Sequence, residues 1–169
     1  VSNIMVVNGG AGIDTLKIDD AGVTLTYANL RRGSVQSIER FDLAGGGNTL
    51  KLTTADVLGV SDQNNCFNTT NGWTLASGSM SWGATNLYSQ IVVDGTASDM
   101  LYLNDAWVAT GTVANSGKTY TVYQSGIAPA QVLVDSTVQV YLPPAVVMVG
   151  FEVNNGLNYS EASSTEGSG

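Results

Sequence analysis

The sequence predicts an all-β fold: a short β-roll or solenoid-like stack of strand–turn–strand arches, completed by antiparallel hairpins. A two-sheet β-sandwich is the alternative. Three observations point there. Apolar and polar residues alternate over short runs, as in Thr15-Leu16-Lys17-Ile18-Asp19 and Val23-Thr24-Leu25-Thr26-Tyr27, the period of half-buried strands. Gly is abundant at 20 and Pro scarce at 3, with Thr, Val, Asn and Ser filling much of the remainder, a turn-rich and β-prone composition. Finally, one grammar recurs along the chain: an apolar run, a tight turn, an acidic or amide residue, then alternating apolar residues. Roll and sandwich both bury alternate residues of short strands, so this pattern leaves the choice between them open.

The first arch runs from Val6-Val7 through Asn8-Gly9-Gly10-Ala11-Gly12-Ile13-Asp14 to Thr15-Leu16-Lys17-Ile18. Its strands are expected at 4–7 and 15–18. Asp19-Asp20-Ala21-Gly22 is a turn, residues 23–27 alternate again, and Arg31-Arg32-Gly33-Ser34 is a polar connector. Residues 35–43 return to strand, with Ile38, Phe41 and Leu43 as core candidates. The second arch is Phe41-Asp42-Leu43, Ala44-Gly45-Gly46-Gly47-Asn48 and Thr49-Leu50-Lys51-Leu52. Thr54 is an N-cap candidate for one short helix over 54–59.

Residues 61–90 differ from their surroundings. Asn, Ser, Thr and Gly dominate, with Trp73 and Trp82 embedded, and the stretch reads as an inserted surface excursion, itself a hairpin. The third arch follows at 91–103, with Asp94 and Asp99 in its turn. Gly117-Lys118 joins Thr112-Val113 to Thr119-Tyr120-Thr121-Val122-Tyr123, a hairpin signal. Ser136-Thr137 between two β-prone runs at 131–135 and 138–142 is a second hairpin candidate. Residues 1–142 therefore read as one β domain. Pro143-Pro144 marks a break, residues 143–159 form a C-terminal β-prone segment, and 160–169 read as a flexible polar tail.

With 169 residues the chain is long enough for one domain with a substantial core. The net charge is −8 and nothing basic clusters beyond Arg31-Arg32, which argues against a nucleic-acid partner. The chain has no histidine, which removes Ser-His-Asp and Cys-His nucleophile pairs and His-ligated transition metals. A single cysteine, Cys66, permits no intrachain disulfide. No signal peptide is read at the start, and the longest apolar run, 145–149, is far too short to span a bilayer. Asp19-Asp20 is the one adjacent acid pair in a turn, and strand alternation would put the two side chains on opposite faces, so no acid/base pair for glycoside hydrolysis is indicated.

Residues 9–17 fit the nonapeptide Gly-Gly-x-Gly-x-Asp-x-Leu-x at every defined position. Ser37-Ile38-Glu39-Arg40-Phe41-Asp42-Leu43, Gly47-Asn48-Thr49-Leu50, Asp56-Val57-Leu58, Val93-Asp94-Gly95 with Asp99, Trp107, residues 119–123 and Val132-Leu133-Val134-Asp135 then follow in order. Over roughly 5–142 this resembles a module near the C-terminal RTX regions of very large bacterial surface adhesins and related type I-secreted proteins. The chain departs from that family in holding one full nonapeptide, in carrying Asn48 where a calcium-binding Asp would stand, and in the insertion. The resemblance implies a calcium site at the first arch, with Asn8, Gly10, Gly12 and Asp14 as candidates and Asp99 as the contribution of a neighbouring arch; hard-cation sites take carboxylate and carbonyl oxygens. The plain alternative is that Asp14 and Asp99 hydrogen-bond backbone N–H groups inside their turns.

These readings lead to a non-enzymatic extracellular module, structural or adhesive, of a bacterial cell-surface or secreted protein, with a glycan or surface protein as partner and calcium as a stabilising ion. Two other readings stay open. Trp73 and Trp82 would make a sugar-stacking platform for a carbohydrate-binding module, against burial as the ordinary fate of aromatics on a β surface; for Trp107 burial is expected. Alternatively the chain self-associates as a surface-layer or filament subunit. There Val146, Val147, Val149 and Phe151 would form an assembly strand that covers an edge of its own domain or adds to a neighbour's sheet.

Overall fold

The computed structural model describes residues 6–26, 34–78 and 87–144. The fold is mostly β, with one short helix. Trp82 and the 145–153 segment lie outside the described residues, as does the 160–169 tail.

Strands pair chiefly in parallel with strands far along the chain. The first tier is β2 (Thr15–Lys17), a turn, and β3 (Thr24–Leu25). The second tier is β5 (Arg40–Asp42) and β6 (Thr49–Leu52), the third β8 (Ser89–Asp94) and β9 (Met100–Leu103), and the fourth β12 (Ala130–Asp135) and β13 (Gln139–Tyr141). β2, β5, β8 and β12 pair in parallel in that order, and β3, β6, β9 and β13 do the same in a second sheet. A separate pair, β1 (Val7–Asn8) with β4 (Val35–Gln36), is also parallel. Beyond β12 the first sheet continues antiparallel through β11 (Lys118–Ser125), β10 (Trp107–Asn115) and β7 (Thr74–Gly78).

Equivalent side chains stack through the tiers because parallel registers keep each residue over its counterpart. Leu16, Phe41, Val93 and Val134 form one inward column, and Leu25, Leu50, Leu101 and Val140 another. With Leu43, Leu52, Leu103, Ile91 and Trp107 they make the main core. Thr53 and Asp56 form a capping box that starts α1 (Thr54–Val60), one residue earlier than the expected Thr54 cap. Val57 and Val60 on this helix are buried in the same core.

Three expectations are corrected. The arch at 9–17 shares its grammar with 41–52 but not its place: residues 15–25 are the structural counterpart of 40–50, while 9–14 packs against 37–40. The sequence grammar is one tier-half out of phase. Residues 131–142 are not a hairpin. β12 and β13 belong to different sheets, and Ser136-Thr137 is the turn of a fourth arch, which explains why it lacks hairpin turn residues. The excursion is not simply a surface hairpin. Cys66, Phe67 and Trp73 are buried with Val92, Val113, Tyr120, Val122 and Leu133 in a second core on the other face of the large sheet. Of the excursion, β7 joins that sheet as its exposed edge. The hairpin at Gly117-Lys118 forms as expected between β10 and β11.

Candidate functional site

The turns between the two sheets are tied by side chains that reach the backbone of the tier before. Asn48 Oδ1 accepts from the Val23 N–H at 2.7 Å, 25 residues away. Asp99 Oδ1 accepts from the Asn48 N–H at 2.8 Å, 51 residues away. Ser98 Oγ accepts from the Gly47 N–H, and Asp105 Oδ2 from the Thr54 N–H, both again at a separation of 51. These separations equal the register offsets of the β3–β6 and β6–β9 ladders, so each bond is one rung of the same stack. Asp99 is fully buried. Its Oδ2 is also used, accepting from the Thr96 N–H at 2.7 Å and from Thr96 Oγ1 at 2.8 Å. Gly45 is required where the turns nest: a Cβ there would lie 2.1 Å from the Asp20 carbonyl oxygen.

At the opposite end of the strands, Glu39 Oε2 accepts from the Asp14 N–H at 3.1 Å, 25 residues away, and Glu39 Oε1 from the Asp62 N–H at 3.4 Å. Glu39 is 0 % exposed. Burial pushes its carboxyl above the usual range, against the two backbone donors that favour the charge. Gly9 packs so closely on Asp14 and Ser37 that a Cβ would stand 2.1 Å from the Ser37 carbonyl oxygen. The Asp14 carbonyl accepts from the Glu39 and Arg40 N–H groups, while its side-chain Oδ2 is buried with no hydrogen-bond partner.

The expected calcium ligands are brought together only in part: Asn8, Gly10, Gly12 and Asp14 share the loop before β2, while Asp99 stands apart. Asp14 precedes β2 and Asp99 follows β8, and because β2, β5 and β8 run parallel, the two lie beyond opposite ends of the same strands. Asp99 has both oxygens committed to backbone and Thr96 donors, and Asn8 Oδ1 accepts from the Gly10 N–H at 2.9 Å. Gly10 and Gly12 shape the loop with positive φ. Among the described residues no group of acidic, Cys or His side chains is arranged to hold a metal ion. Of the expected carboxylates, Asp14 keeps its Oδ2 without a hydrogen-bond partner.

Trp73 is 2 % exposed and packs edge-on to Phe67, with ring centroids 5.5 Å apart, and against Tyr120 at 4.8 Å. Its indole faces are covered, so the expectation that it offers a sugar platform is corrected. Burial of a large aromatic surface outweighed the polar composition of its neighbourhood. Trp107 is buried as expected and donates from Nε1 to the Asn104 carbonyl at 2.6 Å.

Sequence reasoning missed one charged cluster. The registers place Lys17, Asp42 and Asp94 in a column, and Asp135 stands beside Asp94 one residue past the last paired position. Lys118, from the start of β11, bridges Asp94 Oδ1 at 2.9 Å and Asp135 Oδ2 at 2.8 Å. Tyr120 donates to Asp94 Oδ1 at 2.8 Å, and Arg40 Nε stands 3.5 Å from Asp94 Oδ2. Burial disfavours the Lys118 charge, but the bonds to Asp135 and Asp94 outweigh it and hold the ammonium above the usual lysine range. Burial likewise opposes the Asp135 charge, yet Lys118 and the Thr137 donors keep that carboxyl below its usual range. Burial, then the bond to Asp94, pushes the Tyr120 phenol up. An open cleft of about 520 Å³ lies beside this cluster, between the hairpin tip at Gly117-Lys118 and the turns at Thr96 and Thr137. The hint in the sequence was the recurrence of Asp after Phe41 and at the ends of the apolar runs 91–94 and 132–135.

Cys66 is buried, and desolvation followed by the nearby Glu39 charge pushes its thiol up to about 12, so it is an inert core thiol. Compared with known proteins, the chain matches no protein-family model, no curated protein and no solved structure.

Proposed function

We propose that this chain is a non-enzymatic structural or adhesive module of an extracellular or bacterial-surface protein, built as a short solenoid whose tiers are successive coils. The observation that carries this reading is the use of the polar groups. Asn48, Asp99, Asp105 and Glu39 each fasten one tier to another at the ladder offsets of 25 or 51 residues. Lys118 is charge-locked between two carboxylates, and Cys66 is held as a neutral thiol. None of these groups is poised as a nucleophile beside a base. The acidic, lysine-poor composition supports the extracellular setting.

Calcium enters this reading at the first-arch loop, where Asp14 with the oxygens of the turn at 8–12 would hold it. The direct rungs already connect the tiers, so the fold is expected to form in chelator. A cation bound only by the folded chain would raise the melting temperature by mass action, and Asp14→Asn would remove that rise while leaving the chelated protein unchanged. Melting with calcium and with chelator measures this, together with a broad hydrolase screen and the retention of protein-coated beads on glycan, protein and abiotic surfaces. Unfolding of the whole chain in chelator would overturn the calcium-independent stack. Turnover abolished by a single Asp→Asn substitution would overturn the non-enzymatic reading.

A further inference from the structure

The two ends of the stack are built differently. At the far end, β11 occupies the outer edge of β12, and β10 and β7 extend the sheet beyond it. The other sheet ends at β13, its outermost strand among the described residues, so the far end is covered on the large-sheet side. At the near end, β2 and β3 are the outermost strands of their sheets among the described residues. Their inward side chains are only partly covered: Leu16, Ile18 and Leu25, with Val7 beside them, pack on the main core as half-buried residues. One tier inward, Phe41, Leu43 and Leu50 at the matching positions are 0 % exposed. Stacked repeats ordinarily end in a tier with a polar outer face; this end presents the same apolar columns that the interior buries.

A second observation marks the same face. Glu39 accepts from the backbone N–H of residue 14, its counterpart 25 positions back. Asp14 occupies the equivalent place one tier further out, and its Oδ2 is buried with no donor. It is a rung with an acceptor and nothing bonded to it. The covering loop is glycine-rich, and a methyl group added at Gly10 or Gly12 would meet nothing within 4 Å, so the outer side of the loop is open.

We propose that the outer face of the β2–β3 tier docks one further tier of the same kind: a glycine-turn β polypeptide lying parallel to β2 and β3 at a 25-residue register, inward-facing apolar residues over Leu16 and Leu25, and a backbone N–H over Asp14. This rests on the solenoid reading above and extends the stack by one tier beyond β2 and β3. A second copy of the chain fits less well. Head-to-tail stacking would require the β12 edge that β11 already fills. Face-to-face pairing would set Asp19 and Asp20 against their own copies in a chain of net charge −8.

The test is a tandem duplication that places a second copy of residues 6–30 directly before Val6 of the full chain, with a scrambled 25-mer of the same composition as control, both measured in chelator. The duplicated tier should raise the melting temperature by about 5 °C or more and slow hydrogen exchange at the Thr15, Lys17 and Thr24 amides, which point away from β5 and β6; the scrambled extension should do neither. Leu16→Asp in the duplicated chain should abolish the gain, and its own fold is checked by near-ultraviolet circular dichroism. Equal melting and exchange in duplicated and scrambled chains would overturn the proposal while leaving the structural-module reading to its own test. A concentration-dependent dimer of the wild-type chain that protects the same amides would overturn it too, because the face would then belong to a second copy.

Discussion

The large sheet has a core on each face, and the two were written into the sequence in different ways. On one face, Ile91, Val93, Val132 and Val134 look into the stacked tiers. On the other, Val92 and Leu133 meet Cys66, Phe67, Trp73, Val113, Tyr120 and Val122. β8 and β12 are consequently buried almost throughout, as parallel strands covered on both faces are. The first core is periodic: each tier repeats the same inward positions. The second is assembled once, from an excursion and a hairpin with no repeat between them. Gln90 and Gln131 stitch it to the sheet, with Gln90 Nε2 donating to Gln131 Oε1 at 2.9 Å and the Phe67 N–H donating to Gln90 Oε1 at 2.9 Å. Periodic burial makes a fold extensible; single-use burial fixes one excursion to one place.

The largest expected effect comes from breaking the second core. Trp73→Ala removes an indole packed between Phe67 and Tyr120 and should cost about 3–5 kcal/mol, a large fraction of the stability of a domain this size. Urea unfolding measures the loss. If the second core were an appendage, the variant would match the wild type within about 0.5 kcal/mol. Hydrogen exchange sharpens the contrast: Trp73→Ala should loosen β7 and β10 before the β5–β8 ladder, whereas Phe41→Ala should loosen the tiers.

That contrast also explains what the sequence disclosed. The all-β class, the arch turns at 44–48 and 95–99 and the β10–β11 hairpin were legible, because alternation and glycine-rich turns are local signals. The phase of the first arch was not. Residues 9–14 and 43–48 share glycines and a polar terminus for the same local reason, the need to turn tightly, while the tier they join is set by packing of Leu16 over Phe41 and Leu25 over Leu50. Trp73 and Phe67 were illegible as core because their partners, Tyr120 and Leu133, lie far along the chain and the intervening residues are polar. Of the candidate site, Asp14 and Asp99 both stand in the connections between strands, where local pattern placed them. Their separation beyond opposite strand ends follows from parallel pairing, which no local pattern reports.

Lys118 tests the seam where the hairpin of the second core is fastened to the strands of the first. Lys118→Met leaves Asp94 with Tyr120 and Arg40, and Asp135 with Thr137, but removes the cation shared by two nearly buried carboxylates. The expected cost is about 2 kcal/mol, less than for a buried cation because the Lys118 side chain is 48 % exposed. The pH dependence has a definite sign. The raised lysine contributes below its unfolded value of about 10.4, and that contribution is lost as pH rises through the higher folded value. The lowered Asp135 contributes above about 3.9, lost as pH falls through the lower folded value. The difference between wild type and Lys118→Met should therefore be full across neutral pH and shrink in acid. A difference that persists unchanged below the Asp135 transition would assign the loss to packing of the lysine stem.

The smallest effect is expected at Glu39, which lies between the cores at the other end of the strands, near Cys66. Its carboxylate is held by backbone donors at 3.1 and 3.4 Å rather than by a cation, and burial raises its folded pKa. A raised carboxyl favours the folded state fully below its unfolded value of about 4.3, and that contribution is lost as pH rises through the folded value. Glu39 should thus make the fold relatively weaker at neutral than at mildly acidic pH, the reverse of the Asp135 contribution. Glu39→Gln keeps the shape and one acceptor for the Asp14 N–H but removes the charge. Its stability relative to wild type should move in its favour, by no more than about 1 kcal/mol, between about pH 4 and pH 7. Urea melts at the two pH values measure it. Parallel wild-type and variant profiles would mean that the two N–H groups compensate the buried charge completely, and that the rung from Glu39 to Asp14 costs the fold nothing to keep ionised.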